Sequence, residues 1–310
     1  MKKTIFLFVV ALMLTVTSSY GQQDPQYTHY MYNMNVVNPA YAGSRETLSV
    51  GLLHRAQWVN VPGAPRTYTA VVHSPVGSNV GIGLSAIADE IGPVKEQNIF
   101  ADVSYSIKTS ENGKLAFGIK GGVALFNAKL TNLTRPAGSV YDELFANDGK
   151  GVFPNIGAGV YYNTNKFYAG LSIPNFMETV HFEDVDNNTT NTVASEKAHL
   201  FLTLGYVFEL SKKFDLKPSL MTKGTVNSAI STEIAANFLY LKKFELGVGY
   251  RLGSSINGLV SFLVNDDLKL GYAYDHTISS FGDYTGATHE FFLQYDINMT
   301  PKKFKTPRFF

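Results

Sequence analysis

The sequence contains no cysteine in 310 residues. Disulfide bonds, thiolate-bound zinc and cysteine nucleophiles are therefore excluded. Charged residues are also scarce, at 16% of the chain, against roughly a quarter in ordinary soluble domains. The formal net charge of +1 excludes a strongly basic surface, so we expect no nucleic-acid partner, whose binding needs clustered Lys and Arg.

Long apolar runs are missing except for one at the start of the chain. Lys2 and Lys3 precede an apolar run from Ile5 to Val16, and Ser19-Tyr20-Gly21 then offers small residues at the positions that signal peptidase reads. The run is shorter than the about 20 residues that a spanning helix needs. We therefore expect residues 1–21 to be a signal peptide cleaved near Gly21, and a mature chain without a transmembrane helix.

What the mature chain does contain is period-two alternation of apolar and polar residues. Ile99, Val103 and Ile107, for example, alternate with Asp102 and Ser104. Successive side chains of a strand point to opposite faces, so this pattern indicates strands between an apolar and a polar environment. The pattern predicts about fourteen strands, near residues 47–58, 67–74, 79–88, 97–108, 113–127, 153–162, 166–173, 198–209, 214–225, 228–240, 243–251, 255–265, 268–276 and 288–298.

The lengths of the predicted connections separate a membrane barrel from a soluble sandwich. Short links follow even-numbered strands, as at residues 109–112 and 211–213, whereas several odd-numbered strands precede long links, as at residues 128–152 and 174–197. Short turns at one end and long loops at the other are typical of outer-membrane barrels. Aromatic residues at predicted strand ends would form an interfacial girdle, and these are Trp58, Tyr161, Tyr162, Tyr240, Tyr250, Tyr272 and Tyr274.

We therefore predict an all-β protein, a transmembrane antiparallel barrel of about 14 strands over residues 47–298. Residues 22–46 form a separate N-terminal segment that is too apolar and aromatic to remain in water. We expect it to pack as a plug into the periplasmic half of the lumen. The basic tail, residues 299–310, has no assigned role.

Charged residues on the non-lipid face of the predicted strands are candidate lumen residues. Charges removed from water need partners, so these side chains either pair across a filled lumen and stabilise it, or line a polar path for something threaded inside. The strand number does not decide between a filled lumen and an open one. The candidates are Asp102, Glu233, Glu245, Arg251, Asp275 and Glu290.

No pattern of catalytic, cofactor or metal-binding residues stands out, so we expect no enzyme. The histidines lack the paired spacing of metal ligands, and no Gly-x-Ser-x-Gly elbow is present. A hydrolase site on the barrel rim, such as Ser104 with His54, is a remote alternative that no feature favours. Glycines at positions 118, 121 and 122 are interpreted as small lumenal residues.

Several motifs are spread over essentially the whole mature chain. The N-terminal segment contains Asn38-Pro39-Ala40 with Gly43, and Arg55, Gln57 and Trp58 are followed by Gly63-Ala64-Pro65. Later motifs are Asp89–Pro93, Phe153–Gly159, Gly170–Pro174, Gly271–Asp275 and Thr288–Glu290. Together they resemble the PorP/SprF family of Bacteroidota outer-membrane proteins, whose start the first motif looks like and whose Arg-x-Gln-Trp … Gly-Ala-Pro pattern the second matches.

The resemblance implies a non-enzymatic component associated with the type IX secretion system. Members support secretion or surface anchoring of particular substrates, including gliding adhesins, in some cases through the substrate's C-terminal domain. The implied partners are the periplasmic ring, such a substrate and outer-membrane lipid. The long loops, residues 128–152 and 174–197, are candidates for substrate binding. An alternative is a transporter for hydrophobic or small solutes, because fatty-acid transport barrels also combine about fourteen strands with an N-terminal hatch.

Overall fold

The structure, a computed structural model, describes residues 27–132, 148–177, 179–186, 189–225 and 230–297. These residues form almost entirely antiparallel strands, as the alternation predicts. The strands are β1 Leu48–Ala56, β2 Arg66–Val76, β3 Val80–Ile91, β4 Val94–Lys108, β5 Lys114–Ala128, β6 Gly149–Asn163, β7 Phe167–Ile173, β8 Thr179–Asp186, β9 Thr189–Glu196, β10 His199–Tyr206, β11 Phe208–Glu209, β12 Phe214–Thr225, β13 Ser231–Tyr240, β14 Phe244–Arg251, β15 Ser255–Leu263, β16 Leu268–Thr277 and β17 Thr288–Ile297.

The strands close into a barrel of fourteen positions. Each strand from β1 to β7 pairs with the next, β7 pairs with β10, β10 with β12, and the series continues to β17, which pairs with β1. Short β11 continues β10 after a break at Val207, whose N–H donates to the Lys166 carbonyl at 2.8 Å. The prediction of a 14-stranded antiparallel barrel is confirmed. The predicted strand 198–209 is interrupted at Val207, so that its last two residues form the separate short strand β11.

The two ends of the barrel differ in the length of their connections. At one end, here called the turn end, the links are short, such as residues 164–166 and 241–243. At the other, the loop end, they include residues 57–65, 129–148 and 174–198. Short turns face the periplasm in outer-membrane barrels, so we expect the turn end to be the periplasmic one. One difference from prediction is that the last of these loops contains strands, because β8 and β9 form a separate two-stranded sheet there.

The outward face of the barrel is apolar and the inward face is polar, as expected for a wall between lipid and lumen. Ile119 and Val248 are exposed on the outside, 67% and 62% respectively. Two assignments of side were wrong. Tyr161 is buried in the lumen, where its ring lies 5.3 Å from that of Tyr41, and is not a girdle residue. Gly121 faces outward into open space, because it is an odd number of positions from inward-facing Gly118.

No helix within the described ranges is long and apolar enough to cross a membrane. The predicted signal peptide and the basic tail lie outside the described residues. Their boundaries therefore remain predictions.

Candidate functional site

Residues Tyr27–Ala42 lie inside the barrel, and all but one of them are buried. The segment consists of short helical pieces rather than strand: a 3-10 turn at Tyr30–Tyr32, the helix α1 at Met34–Val37 and a second 3-10 turn at Pro39–Tyr41. Its apolar side chains form one cluster with inward-facing wall residues, including Leu53, Tyr168 and Phe292. A barrel of this width leaves space that side chains of the wall alone would not fill, and this segment occupies it.

The Asn38-Pro39-Ala40 motif starts the second turn and fixes it to the wall. The Asn38 Oδ1 accepts a hydrogen bond from the Ala40 N–H at 2.9 Å, the usual contact of an N-cap. Pro39 occupies the first helical position, where no N–H is needed. The Asn38 Nδ2 donates to the Val160 carbonyl on β6 at 3.0 Å. The motif is thus both a local turn and an anchor to the barrel.

Glycines in the wall let the segment approach closely. An added Cβ at Gly118 would lie 2.2 Å from the Ala40 nitrogen, and one at Gly159 would lie 2.2 Å from the Asn38 Oδ1. Gly43, where the segment leaves the lumen, has a φ of +73. An ideal Cβ added at Gly43 would lie 2.8 Å from the Gly81 Cα. Glycine is suited to such positive-φ, close-contact positions.

We expect Gly118→Ala to displace the segment, because its methyl group would overlap the backbone of Ala40. The thermal midpoint should fall by several degrees, as overpacking costs about 1–3 kcal/mol, and proteolysis of the segment should become faster. Gly121→Ala on the same strand is the matched control, since an ideal Cβ there meets nothing within 4 Å. Equal midpoints and equal proteolysis rates for the two variants would contradict this packing.

At the loop end, a carboxylate holds the start of the segment. Glu290, fully buried, accepts hydrogen bonds from the backbone N–H of Thr28 at 3.0 Å and of His29 at 2.6 Å. Its Oε1 also lies 2.6 Å from the His29 Nδ1. Buried Arg55 donates to Glu290 at 3.0 Å and to the Thr28 hydroxyl at 2.9 Å. The segment therefore reaches well into the loop-end half of the lumen, deeper than the periplasmic half that we predicted.

The loop-end network continues around the wall through alternating charges. Arg55 contacts Asp275 at 3.3 Å, Asp275 contacts Arg251 at 3.2 Å, and Arg251 pairs with Glu233 at 2.8 Å. All four residues are buried. Each of these four side chains thus contacts at least one side chain of opposite charge, as the alternative of a filled lumen requires.

A second network lies near the turn end around Glu245. This carboxylate is 3.3 Å from the Lys217 Nζ and 3.5 Å from the Lys269 Nζ. It also accepts a hydrogen bond from the Tyr32 hydroxyl at 2.5 Å. This bond ties the middle of the segment to the wall.

A third contact joins the helix α1 to strands β4 and β5. The Asn35 Nδ2 donates to Asp102 at 2.9 Å. Lys120, 3.6 Å from Asp102, also donates to the Asn35 and Val36 carbonyls, at 3.3 and 2.9 Å. Carbonyls at the end of a short helix are without helical partners, and Lys120 satisfies two of them here.

Where the segment leaves the barrel, Arg45 and Asp296 form a two-point ion pair with contacts of 2.6 and 3.1 Å. Asp296 also accepts from the Ser49 hydroxyl at 2.6 Å. This pair lies at the turn end of β17, so the segment extends from one end of the lumen to the other. A remaining cavity beside Tyr32 and Arg45 has a volume of about 10 Å³, about the minimum that holds one water molecule.

Residues Gln57 and Trp58 of the family-like motif lie at the loop end, outside the lumen networks. The Gln57 Oε1 is 3.4 Å from the Arg55 Nε, and its N–H donates to the Pro65 carbonyl at 2.9 Å. Trp58 has a φ of +44 and its N–H donates to the Thr288 hydroxyl at 3.4 Å. The motif therefore shapes the β1–β2 loop and orients the buried Arg55.

The remote alternative of a hydrolase site formed by Ser104 with His54 is wrong. The Ser104 hydroxyl donates to the Ala42 carbonyl inside the barrel at 2.7 Å. His54 stacks on Tyr68 at 4.4 Å between ring centroids, and belongs to the outward face of β1. The barrel wall separates the two side chains. Within the described ranges, no group of three or more His, Asp or Glu residues is placed to hold a metal ion.

The basic partners of three candidate acids, Glu290, Asp102 and Glu245, were not predicted from the sequence. His29, Lys120 and Lys217 are as buried as the acids that they contact. The two lysines could have been found, because each falls on the inward face of its strand by simple alternation. His29 carried no such signal, since the irregular N-terminal segment has no period.

Comparison with known proteins gives a family. A family model described as type IX secretion system membrane protein PorP/SprF matches residues 19–295. No curated protein matches the sequence. Among solved structures, the Acinetobacter baumannii outer membrane protein Omp33 matches with 6% identity over 81% of this chain and 99% of its own, at a TM-score of 0.47.

Two further similar structures are toluene transporters. TbuX of Ralstonia pickettii shares 12% identity over 91% of this chain and 96% of its own, with a TM-score of 0.49. TodX of P. putida shares 9% identity over 92% and 97%, with a TM-score of 0.49. Matches this distant add nothing on substrates.

Proposed function

Because the chain belongs to the PorP/SprF family of type IX secretion system membrane proteins, we propose that it acts by binding proteins. In this proposal the barrel lies in the outer membrane and supports secretion or surface anchoring of a specific substrate, such as an adhesin. It catalyses no bond chemistry. Its partners are the substrate, possibly through that protein's C-terminal domain at the loop end, and the periplasmic ring at the turn end.

The observation that carries this proposal is the filled lumen. The N-terminal segment extends through the barrel and is held by Glu290, Glu245, Asp102 and Asp296. Removing one partner of a buried ion pair costs about 3–5 kcal/mol, so moving the whole segment out of the lumen has a large free-energy cost. A barrel filled in this way is suited to presenting surfaces rather than to conducting solutes.

The loop end offers one specific surface for a substrate, the outer half of β6. Strand β6 pairs with β5 along its whole length, but with β7 only over Ala158–Asn163. The Ile156 carbonyl accepts a hydrogen bond from the Phe176 N–H, on the side of β6 that faces away from β5. Backbone groups of alternate residues in a strand point to the same side, so those of Lys150, Val152 and Pro154 also point away from β5. Within the described residues no strand pairs with that side, and β8, which belongs to a separate sheet, is the strand that lies beside β6.

An open strand edge can accept an extended segment of a partner as an additional strand. Pro154 has no N–H to offer, which is typical of a proline on an edge. The edge also lies between the loops 129–148 and 174–198, which correspond to the predicted substrate loops 128–152 and 174–197. The predicted loop 128–152 was too long, because β6 already begins at Gly149. Most of the loop 129–148 lies outside the described residues, so we base the proposed docking position on β6 itself.

We expect Val152→Pro to reduce recovery of the substrate in a tagged pull-down by about tenfold or more. The substitution removes one edge N–H and blocks strand addition, while proline on an open edge leaves the barrel intact. Val152→Thr is the matched control, because it keeps the N–H and the branched side chain. The measurement is quantitative mass spectrometry of proteins retained after mild detergent extraction. Equal recovery with the proline and threonine variants would remove β6 from the proposal.

A solute transporter, the alternative function, would need a path through the lumen. The segment would have to leave its contacts, or open a path beside them, during each transport cycle. Liposome-swelling and lipid-uptake assays on the intact protein distinguish the two functions. Clear solute flux would favour transport, and its absence together with recovery of a secreted protein supports binding.

A further inference from the structure

Two neighbouring turns at the turn end carry four lysines close together. Lys212 and Lys213 belong to the turn before β12, and Lys242 and Lys243 to the turn between β13 and β14. The Leu241 N–H donates to the Lys213 carbonyl at 2.7 Å, which joins the two turns side by side. All four lysines are exposed.

These lysines are not neutralised by carboxylates. None of the four forms an ion pair with a described residue. Glu209, the acid beside the first turn, is paired with Lys166 at 3.3 Å. Buried Asp215 and Glu245 face the lumen, and the acids Asp266 and Asp267 belong to the following turn. The two turns therefore form a local cationic patch on a chain with a net charge of only +1.

An aromatic row lies directly above the patch on the outward face. Phe214, Tyr240, Phe244 and Phe262 are successive cross-strand partners, and each is exposed by 40% or more. The rings of Phe214 and Tyr240 lie 4.9 Å apart. Aromatic rows of this kind mark the membrane interface, so the lysines sit where lipid headgroups begin.

The turn between β13 and β14 has an unusual sequence for its conformation. Its central residues, Leu241 and Lys242, have φ values of 50 and 57, and the Lys243 N–H donates to the Tyr240 carbonyl. Such two-residue turns favour Asn-Gly, because other residues are strained at positive φ. Retained strain of this kind is a reason to look for a function. Here the turn places an exposed leucine and a lysine at the membrane boundary.

We propose that these two turns form a binding site for the phosphate headgroup of an anionic phospholipid in the periplasmic leaflet. The four ammonium groups would contact the phosphate, and Leu241 with the aromatic row would contact the acyl chains. The patch is continuous with the lipid-facing surface, which favours a lipid over a soluble acidic protein. Lysines just outside a membrane attract anionic lipids in this way. This site is independent of the proposed substrate binding.

The test is native mass spectrometry of the full chain, exchanged into detergent with phosphatidylglycerol or phosphatidylcholine. We expect the wild type to retain phosphatidylglycerol preferentially. The variant K212Q/K213Q/K242Q/K243Q should retain it at least about tenfold less, with no change for phosphatidylcholine. The control R66Q/K95Q/K108Q/K114Q removes the same charge from positions outside the two turns and outside the proposed substrate surface, and it should behave as wild type. Heat-modifiable migration in gels verifies that each variant is folded.

A second variant separates binding from folding. L241N/K242G supplies the preferred turn residues, so it should raise the thermal midpoint while lowering retention of phosphatidylglycerol. The proposal is overturned if the fourfold variant retains this lipid as the wild type does, or if the control loses it equally. It is also overturned if lipid retention is unchanged while crosslinking to an acidic periplasmic protein is lost, since the patch would then belong to that protein.

Discussion

Glu290→Ala is expected to lower the free energy of unfolding by about 3–5 kcal/mol. The carboxylate is fully buried and accepts hydrogen bonds from the backbone N–H groups of Thr28 and His29, from the His29 ring and from the Arg55 guanidinium. Its removal leaves the Arg55 guanidinium buried with only Asp275 as an acidic partner. Unsatisfied backbone donors of Thr28 and His29 add to the loss. Glu290→Gln, which keeps one acceptor, should show a smaller loss.

Denaturant unfolding in lipid or detergent measures this effect, and labelling locates it. Since the chain has no cysteine, Met31→Cys introduces a single thiol in the buried segment. Its reactivity should rise sharply when combined with Glu290→Ala. Glu111→Ala, on an exposed turn, is the control and should stay within about 0.5 kcal/mol of wild type. A loss below about 1 kcal/mol with an unreactive thiol would show that Glu290 does not hold the segment.

Deletion of residues 22–44 is expected to convert a closed barrel into an open one. The wall would remain paired from β1 to β17, but the lumen would fill with water around charges such as Asp102, Lys120 and Glu245. A fourteen-stranded barrel is wide enough to leave an aqueous path when nothing fills it. We expect no steady ion conductance from the intact protein in planar bilayers and a steady ohmic conductance from the deletion variant.

The deletion should also lower stability by more than Glu290→Ala does, because every contact of the segment is lost. Gly121→Ala, altered only on the outward face, is the silent control for conductance. Two results would refute a lumen closed by this segment. One is a deletion variant that is as silent and as stable as the wild type, and the other is an intact protein that already conducts.

The barrel wall could be predicted because its signals are local. Alternation such as that of Phe244, Leu246 and Val248 against Glu245 is imposed by the two environments of each strand. The turns between strands could also be predicted, because they are short and rich in polar residues. The break at Val207 was invisible, since it depends on a hydrogen bond to Lys166, which is remote in sequence.

The partners inside the lumen could not be predicted, although the acids themselves were. Glu290 and Asp275 are on the polar face by alternation, but their contacts cross the lumen or join strands far apart in the chain. His29 lies 261 positions from its partner. The depth of the segment depends on this long-range pairing, which explains why we placed it too close to the periplasm.

The strand edge of β6 and the lysine patch illustrate the same limit. Lys212, Lys213, Lys242 and Lys243 are ordinary turn residues in the sequence, and only the pairing of β12 with β13 brings them together. Likewise Val152 was predicted at the end of the loop 128–152, whereas in the structure it lies in β6. Strand β7 ends too early to give its backbone a strand partner among the described residues.

The surface proteome of a strain lacking this protein tests the proposed function most directly. Quantitative mass spectrometry of surface-labelled proteins would be compared between the deletion strain, the parent and a complemented strain. We predict that one or a few secreted proteins disappear from the surface, accumulate in the periplasm or medium, and return on complementation. An unchanged surface proteome, together with reduced uptake of a small solute, would contradict protein binding and establish transport instead.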